Sequence, residues 1–399
     1  MKLTKFAYSE FPSSPTFWEL KEFELGDINL FVGKNASGKS RTLIQVANLA
    51  KLLTGKIPTT NYNSGNWKAT FAVEPEDLPA LRDEKEVTYE LQIKGGAVQF
   101  EHFRGANNKD YLKRDNNGLG NLYAIELKTN MSFQLDTKQI AAVSKKDTIQ
   151  HPFLDPLIRW ARSVRWYTFG ADVMQQTLTF VVTQNVPKEA TEQYEAEDSI
   201  IPLLIGAQQR FGPDFTRQVC EYMNTLGYPV EKIELTPAAM QPVVVGGISG
   251  QSPVLVTVIE SDRQAPLAQI YMSAGMFRTL AILIRAELAK RLELPFVLII
   301  DDIGEGLDFE RAKSLIRLLI DIAKVRHMQL LMSSNDRFVM NEVPLDYWNV
   351  VLRQRATVRI INKSNSPLAF KRFEEFGFNN FDFFAKEFYL DDDNVTATH

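Results

Sequence analysis

The octapeptide GKNASGKS, Gly33 to Ser40, fits the spacing G-x-x-x-x-G-K-[ST] at every fixed position. Each fixed residue suits phosphate chemistry. Gly33 and Gly38 let the loop curl, so that backbone N–H groups from Lys34, Asn35, Ala36 and Ser37 on to Arg41 turn toward an anion. Lys39 can reach β- and γ-phosphates, and the Ser40 hydroxyl can ligate Mg²⁺. A helix opening there adds its N-terminus to the anion site. The residues therefore predict ATP–Mg²⁺ binding. Far downstream, FVLIIDD is an apolar run that ends in two adjacent acids, Asp301 and Asp302. Beside a phosphate loop such a pair has work to do. Asp301 steadies the metal, and Asp302 orients or deprotonates the attacking water.

Lys39 and Asp301 stand 262 positions apart, so a large insert separates the loop from its acid strand. Just before that strand, MSAGMFRTLAILIRAEL places Ser273 and Gly275 at the opening of a long helix. A helix N-terminus with a Ser and a small neighbour suits an anion. The same Ser reads equally as an ordinary N-cap.

The order of phosphate loop, insert, S-x-G, helix and acid strand resembles the ABC-type ATPases. Ser273 and Gly275 match the Ser and last Gly of that family's L-S-G-G signature, with Met272 for Leu and Ala274 for the first Gly. The resemblance implies an α/β fold: an ABC-type P-loop ATPase with a mixed sheet, an antiparallel β-subdomain and a helical insert. It also implies that Ser273 and Gly275 contact the γ-phosphate held by the opposite subunit of a head-to-tail homo-oligomer, with ATP at the interface. EGLD, Glu305 to Asp308, takes the D-loop position, and Asn335 stands where family members usually place a switch His. Asn can donate a hydrogen bond to a γ-phosphate but cannot change charge. Asp302 stands where the family usually has Glu, one methylene longer, so slow water activation is expected. Transporter domains have a smaller insert, and the long-armed chromosome-structure branch needs coiled coils for which no heptad tract is present. The motifs look most like the prokaryotic stand-alone ATPases related to the overcoming-lysogenization-defect and RecF-like groups. Among these, the ATPase of PARIS-type phage defence is the specific likeness, with Retron- and Septu-type ATPases as rivals. Too few residues follow Asn341 for a Toprim nuclease domain, so a separately encoded effector is expected, with a viral protein as trigger. A RecF-like DNA clamp and an ATP-held scaffold with little hydrolysis are the alternatives.

The elements that must position these groups follow from periodicity. Residues 2–32 read as strands, and SRTLIQVANLAKLLTG as a helix with Leu43, Ile44, Ala47, Leu49, Ala50 and Leu53 on its apolar positions. Residues 68–143 read as antiparallel strands with a Gly95–Gly96 turn. A helix is predicted over 153–162, a polar then helical stretch over 187–228, and strands at QPVVVGG and SPVLVTVIES. Strand–helix–strand alternation over 270–335 implies parallel pairing. The expected segments are 1–185 (N-terminal lobe), 186–265 (insert), 266–345 (C-terminal lobe) and 346–399 (strands and an aromatic helix).

The 399 residues are 45% hydrophobic and 24% charged with a net charge of −4, which fits a globular chain and excludes one coated for nonspecific nucleic-acid binding. Lys85, Lys94, Arg104, Lys109, Lys113 and Arg114 make the strand region locally basic, as a solvated face or a contact for nucleic acid or an acidic protein. Cys220 is the lone cysteine, a core residue in a helical run that permits no internal disulfide. His102, His151, His327 and His399 lack metal-ligand spacing. With no spanning apolar run and no signal-peptide core, a cytoplasmic protein without membrane contact is expected. Phe373 to Tyr389 holds seven Phe and one Tyr, either a segment docked on its own domain or an aromatic surface for a partner.

Overall fold

The computed structural model describes residues 1–78, 80–81, 84–106, 109–168, 179–180, 200–237, 243–245, 248–251, 253–263, 265–292, 296–325 and 328–390. The chain forms two compact units. One comprises Met1–Tyr167, Pro295–Asp301 and His327–His399, the other Thr168–Leu294 and Asp302–Arg326.

The first unit is built on a 14-stranded sheet. In chain order its strands are β1 (Lys2–Ser9), β2 (Glu19–Glu24), β3 (Ile28–Val32), β4 (Ser64–Ala72), β5 (Glu86–Lys94), β6 (Ala97–Gly105), β7 (Asp110–Arg114), β8 (Leu119–Ala124), β9 (Thr129–Gln134), β10 (Val164–Thr168), β11 (Phe296–Asp301), β12 (Met328–Ser333), β13 (Trp348–Gln354) and β14 (Thr357–Ile361). Their spatial order is β10-β11-β12-β3-β13-β14-β2-β1-β4-β5-β6-β7-β8-β9. β11, β12, β3 and β13 run parallel to one another, and β4 to β9 form an antiparallel meander. Composition explains the split. INLFV, FVLIID and MQLLMS are buried at every residue, as a parallel strand covered on both faces must be. EVTYELQIK instead alternates, sending Val87, Tyr89, Leu91 and Ile93 inward.

Helix α1 (Lys39–Leu53) follows β3, and α2 (Leu154–Ser163) follows the meander. Leu43, Val46 and Leu49 of α1, Leu157 and Trp160 of α2, Phe71 of β4, Ile299 of β11 and Leu331 of β12 share one apolar core. Phe71 and Trp160 meet edge to face at 4.8 Å between ring centroids.

The second unit contains helices α3 (Ile200–Phe211), α4 (Pro213–Thr225), α5 (Ala274–Leu292) and α6 (Phe309–Val325), with the antiparallel strands Val230–Pro237 and Pro253–Glu260. Cys220 is buried on α4, and burial pushes its thiol up to about 11, which leaves it protonated and inert at neutral pH. Two strands go beyond the sequence reading. β10 is only VRWYT, and Val230–Pro237 carries charges at three of eight positions. The polar stretch 187–199, most of QPVVVGG, His327 and His399 lie outside the described residues. The aromatic C-terminus is not one helix. It forms the helices Pro367–Glu374 and Asn380–Ala385 and the turn Phe388–Leu390, with Phe370, Phe373, Phe383 and Tyr389 buried and Phe376 and Phe378 exposed. No helix among the described residues is long and apolar enough to cross a membrane.

Candidate functional site

The carboxyl ends of parallel strands in an open α/β sheet are where ligands bind. Here β3, β12 and β11 end side by side, and the sequence places Gly33, Ser333 and Asp301 at those ends. Gly38 caps α1 at φ 109°, backbone that side chains resist. A Cβ on Gly33 would stand 2.7 Å from Ser37 Oγ and 2.8 Å from the Val351 carbonyl oxygen, so only glycine lets the loop turn this tightly. Lys39 is buried, and its Nζ donates to the carbonyls of Gly33 at 2.9 Å and Lys34 at 3.4 Å. Ser37 Oγ is buried with no hydrogen-bond partner, an orphaned polar atom within the loop.

Asp301 is the metal-side acid of the sequence reading. Its Oδ1 accepts from the Ser40 hydroxyl at 3.0 Å and from the buried Ser333 hydroxyl. The phosphate-loop serine and the acid lie 261 residues apart in sequence and touch in the fold. Sequence reasoning missed Ser333. Its signal was positional: it ends the strand beside the acid strand, one register step past the Ile300–Met332 pair. The donor set fits Mg²⁺, a hard cation that takes one or two protein oxygens and keeps phosphates and waters for the rest. No cluster of three or more His, Cys, Asp or Glu able to hold a metal occurs among the described residues.

Other predicted residues gather on the loop's rim. Asn335 donates through Nδ2 to Asn35 Oδ1 at 2.8 Å, so the residue in the switch position touches the phosphate loop. Lys34 pairs with Glu387 at 2.8 Å, and that hydrogen bond holds the exposed amine above its usual range. Ala36 accepts from Arg353 Nη1 at 3.2 Å through its carbonyl. The Arg41 guanidinium pairs with Glu10 and lies 4.6 Å from the Trp18 ring centroid.

Ser273, Gly275 and Asp302 belong to the second unit. Ser273 is exposed and caps α5, its Oγ accepting from the Met276 N–H at 3.2 Å. Gly275 is buried, and a Cβ there would meet the Gly306 carbonyl oxygen at 2.5 Å. Helix α5 thus backs directly onto the turn at Gly306. Asp302 sits at φ 52°, left-handed backbone that Asp tolerates better than most residues. Asp308 accepts from the Arg311 N–H at 3.1 Å as α6 begins, and that backbone bond holds its carboxyl below the usual range.

The basic strand region is not a uniform solvated face. Arg114 is buried and bonds the carbonyls of Gln139 and Asp136, with Glu101 3.7 Å away. Glu101 in turn accepts the backbone N–H groups of Ala141 and Ala142, and its burial holds its carboxyl above the usual range. Lys109 lies over the rings of Tyr111 and Tyr123.

Strand order, phosphate loop and acid strand together define the ABC-type ATPase fold. Solved structures agree. The chain is similar to an SMC head bound to the C-terminal winged-helix domain of ScpA, at 12% identity and a TM-score of 0.54, with 90% of this chain and 97% of that one covered. It is also similar to the Pyrococcus furiosus SMC head with an extended coiled coil, bound to the C-terminal domain of ScpA, at 12% identity and a TM-score of 0.51, with 94% and 99% covered. The Thermotoga maritima SMC head domain aligns at 14% identity and a TM-score of 0.42 over 91% and 99% of the two chains. The likeness is one of fold. No family model matches the sequence, and no curated protein matches it.

Proposed function

We propose that the protein binds ATP–Mg²⁺, hydrolyses it slowly, and uses nucleotide state to switch its assembly. The observation that carries this is the pair of hydroxyls, Ser40 and Ser333, held on Asp301 beside a glycine-built phosphate loop. Mg²⁺ neutralises charge on the β- and γ-phosphates when bound. The chain's own residues do the rest. Backbone N–H groups of the loop hold the phosphate oxygens. Lys39 exchanges its two carbonyl partners for those oxygens. Ser40 and Asp301 hold the metal, Asp302 takes the proton of the attacking water, and Asn335 donates a hydrogen bond at the γ end. Ser273 acts across a head-to-tail contact with a second copy. Ile270 and Tyr271, beside it, are 44% and 74% exposed, an apolar edge that such a copy would cover.

Asp302 in place of Glu and Asn335 in place of His favour holding ATP over rapid turnover. The assembled state then scaffolds or restrains a separately encoded effector, a nuclease toxin, in toxin–antitoxin-like fashion, and a viral protein triggers release. The antiviral reading rests on general resemblance to prokaryotic stand-alone defence ATPases, and the SMC heads bound to ScpA domains give the fold a precedent for carrying a protein partner. An ATP-held scaffold with little hydrolysis is the second reading, favoured by the same two residues. The RecF-like clamp is weakened by the net charge of −4.

Light scattering with and without Mg–ATP tests the proposal, alongside a turnover assay. The wild type should assemble with ATP and turn over below about 10 per second, the enzyme median. Asp302→Asn should bind and assemble but lose at least about a hundredfold in turnover, the scale of a lost general base. Asn is the better replacement than Ala because it also tolerates left-handed backbone. Lys39→Ala should neither bind nor assemble. If neither substitution changes binding or turnover, the site assignment is wrong.

A further inference from the structure

A cavity of about 460 Å³ lies in the first unit on the outer flank of the phosphate loop. Its walls include Lys34 of the loop, Arg353 and Arg355 of the β13–β14 turn, and Phe384, Glu387 and Tyr389 of the C-terminal segment. No role assigned above uses it. We propose that this cavity takes the nucleoside end of the bound nucleotide, its base against Phe384 and its ribose and α-phosphate beside Arg353 and Arg355. The inference rests on the phosphate loop being an ATP site and adds a binding wall that the aromatic C-terminus supplies.

Strand order gives the direction. Asp301 ends β11, which is separated from β3 by β12, whereas β13 flanks β3 on its other side. A triphosphate with its metal end at Ser40 and Asp301 therefore carries its α-phosphate and sugar toward β13, where the cavity opens. Charge agrees: the six named residues include three cations and one carboxylate. Lys34 is paired with Glu387, and Arg353 bonds the carbonyls of Ala36 and Arg355. The Arg355 guanidinium is exposed with no ion pair or hydrogen bond among the described residues, on a residue held at φ 57°. Left-handed backbone at a non-glycine residue is a strain that functional sites commonly retain. Shape agrees too. The half-buried Phe384 ring stacks on the buried Tyr389 ring at 5.9 Å with planes 19° apart, so a ring of the kind bases stack on is held fixed in the cavity wall. The Lys34–Glu387 pair fastens that segment to the loop.

The full chain is titrated with Mg–ATP and, separately, with Mg–tripolyphosphate, which has the phosphates without the nucleoside. Two variants probe the cavity: Phe384→Leu, and Arg355→Gly, which suits the left-handed turn. Phe384→Leu should weaken ATP about tenfold, the scale of a lost stacking contact, and leave tripolyphosphate unchanged, whereas Arg355→Gly should weaken both ligands, because tripolyphosphate keeps the phosphate that Arg355 faces. The inference is overturned if the wild type binds the two ligands equally, if both variants leave ATP unchanged, or if Phe384→Leu weakens both ligands together. In those cases the phosphate-loop site still stands. A wild type that binds neither ligand overturns the ATP site itself and the cavity with it.

Discussion

Asp301 illustrates why a metal site needs more than its ligands. An exposed carboxylate rotates freely, whereas Asp301 is buried and one of its oxygens carries two hydroxyls. Ser40 is positioned to join a metal. Ser333, fully buried, can only orient. Ser333→Ala removes a hydrogen bond to a charged group, worth about 1.5–3 kcal/mol. Mg-dependent ATP affinity should therefore fall about tenfold, while ATP binding measured in EDTA should not change, because the loop's N–H groups are untouched. Titrations with and without Mg²⁺ separate the two, and an equal loss in both would assign Ser333 to the loop instead. The fixed positions of GKNASGKS were legible because the phosphate chemistry is local to eight residues. Ser333 was not, because its partnership depends on the register of two strands whose ends are 32 residues apart in sequence.

At the scale of elements, three mostly apolar runs announced the central parallel strands, and alternation announced the meander. Short or charge-bearing strands at the sheet's edge and in the insert stayed hidden, since pairing rather than pattern makes them strands. The basic residues read as a solvated face are exposed at Lys85, Lys94, Lys109 and Lys113, and the exception is Arg114, which is buried. Charge in sequence says nothing about burial, and Arg114 points into carbonyls. The S-x-G motif gained a structural meaning that its sequence lacked: Gly275 is small because Gly306 is against it. Gly275→Ala should overpack that contact and destabilise by about 1–3 kcal/mol, although Ala is the better helix former. Nucleotide binding should persist while ATP-driven assembly weakens, since the displaced parts are the signature helix and the D-loop. Thermal unfolding and light scattering on one preparation check both halves. A variant as stable and as well assembled as the wild type would mean that the turn gives way freely.

For the whole molecule, the sequence segments 1–185, 186–265, 266–345 and 346–399 are a proposal about organisation that proximity along the chain encourages. The chain passes between the two compact units at 167/168, 294/295, 301/302 and 326/327. Asp301 and Asp302, adjacent in sequence, therefore fall in different units. No local pattern could announce that division, because it depends on which strands pair. A head-to-tail pair of identical chains under two-fold symmetry would make two equal sites, each built from one copy's phosphate loop and the other's Ser273. That arrangement has a consequence no single-chain site shares. Lys39→Ala destroys every phosphate loop in its own pair, and Ser273→Arg destroys every signature, so each variant alone should be inactive. Mixed in equal amounts, the two variants can assemble with ATP only as mixed pairs, since a pair of like variants holds no intact site. In a mixed pair one site joins two damaged halves and the other joins two intact ones, so turnover should return to at most about half of wild type if the sites act independently. Recovery should rise with mixing time as copies exchange, and it should vanish if each chain completes its own site. Steady-state turnover of the mixture against the summed rates of the two variants decides between a shared site and a self-contained one.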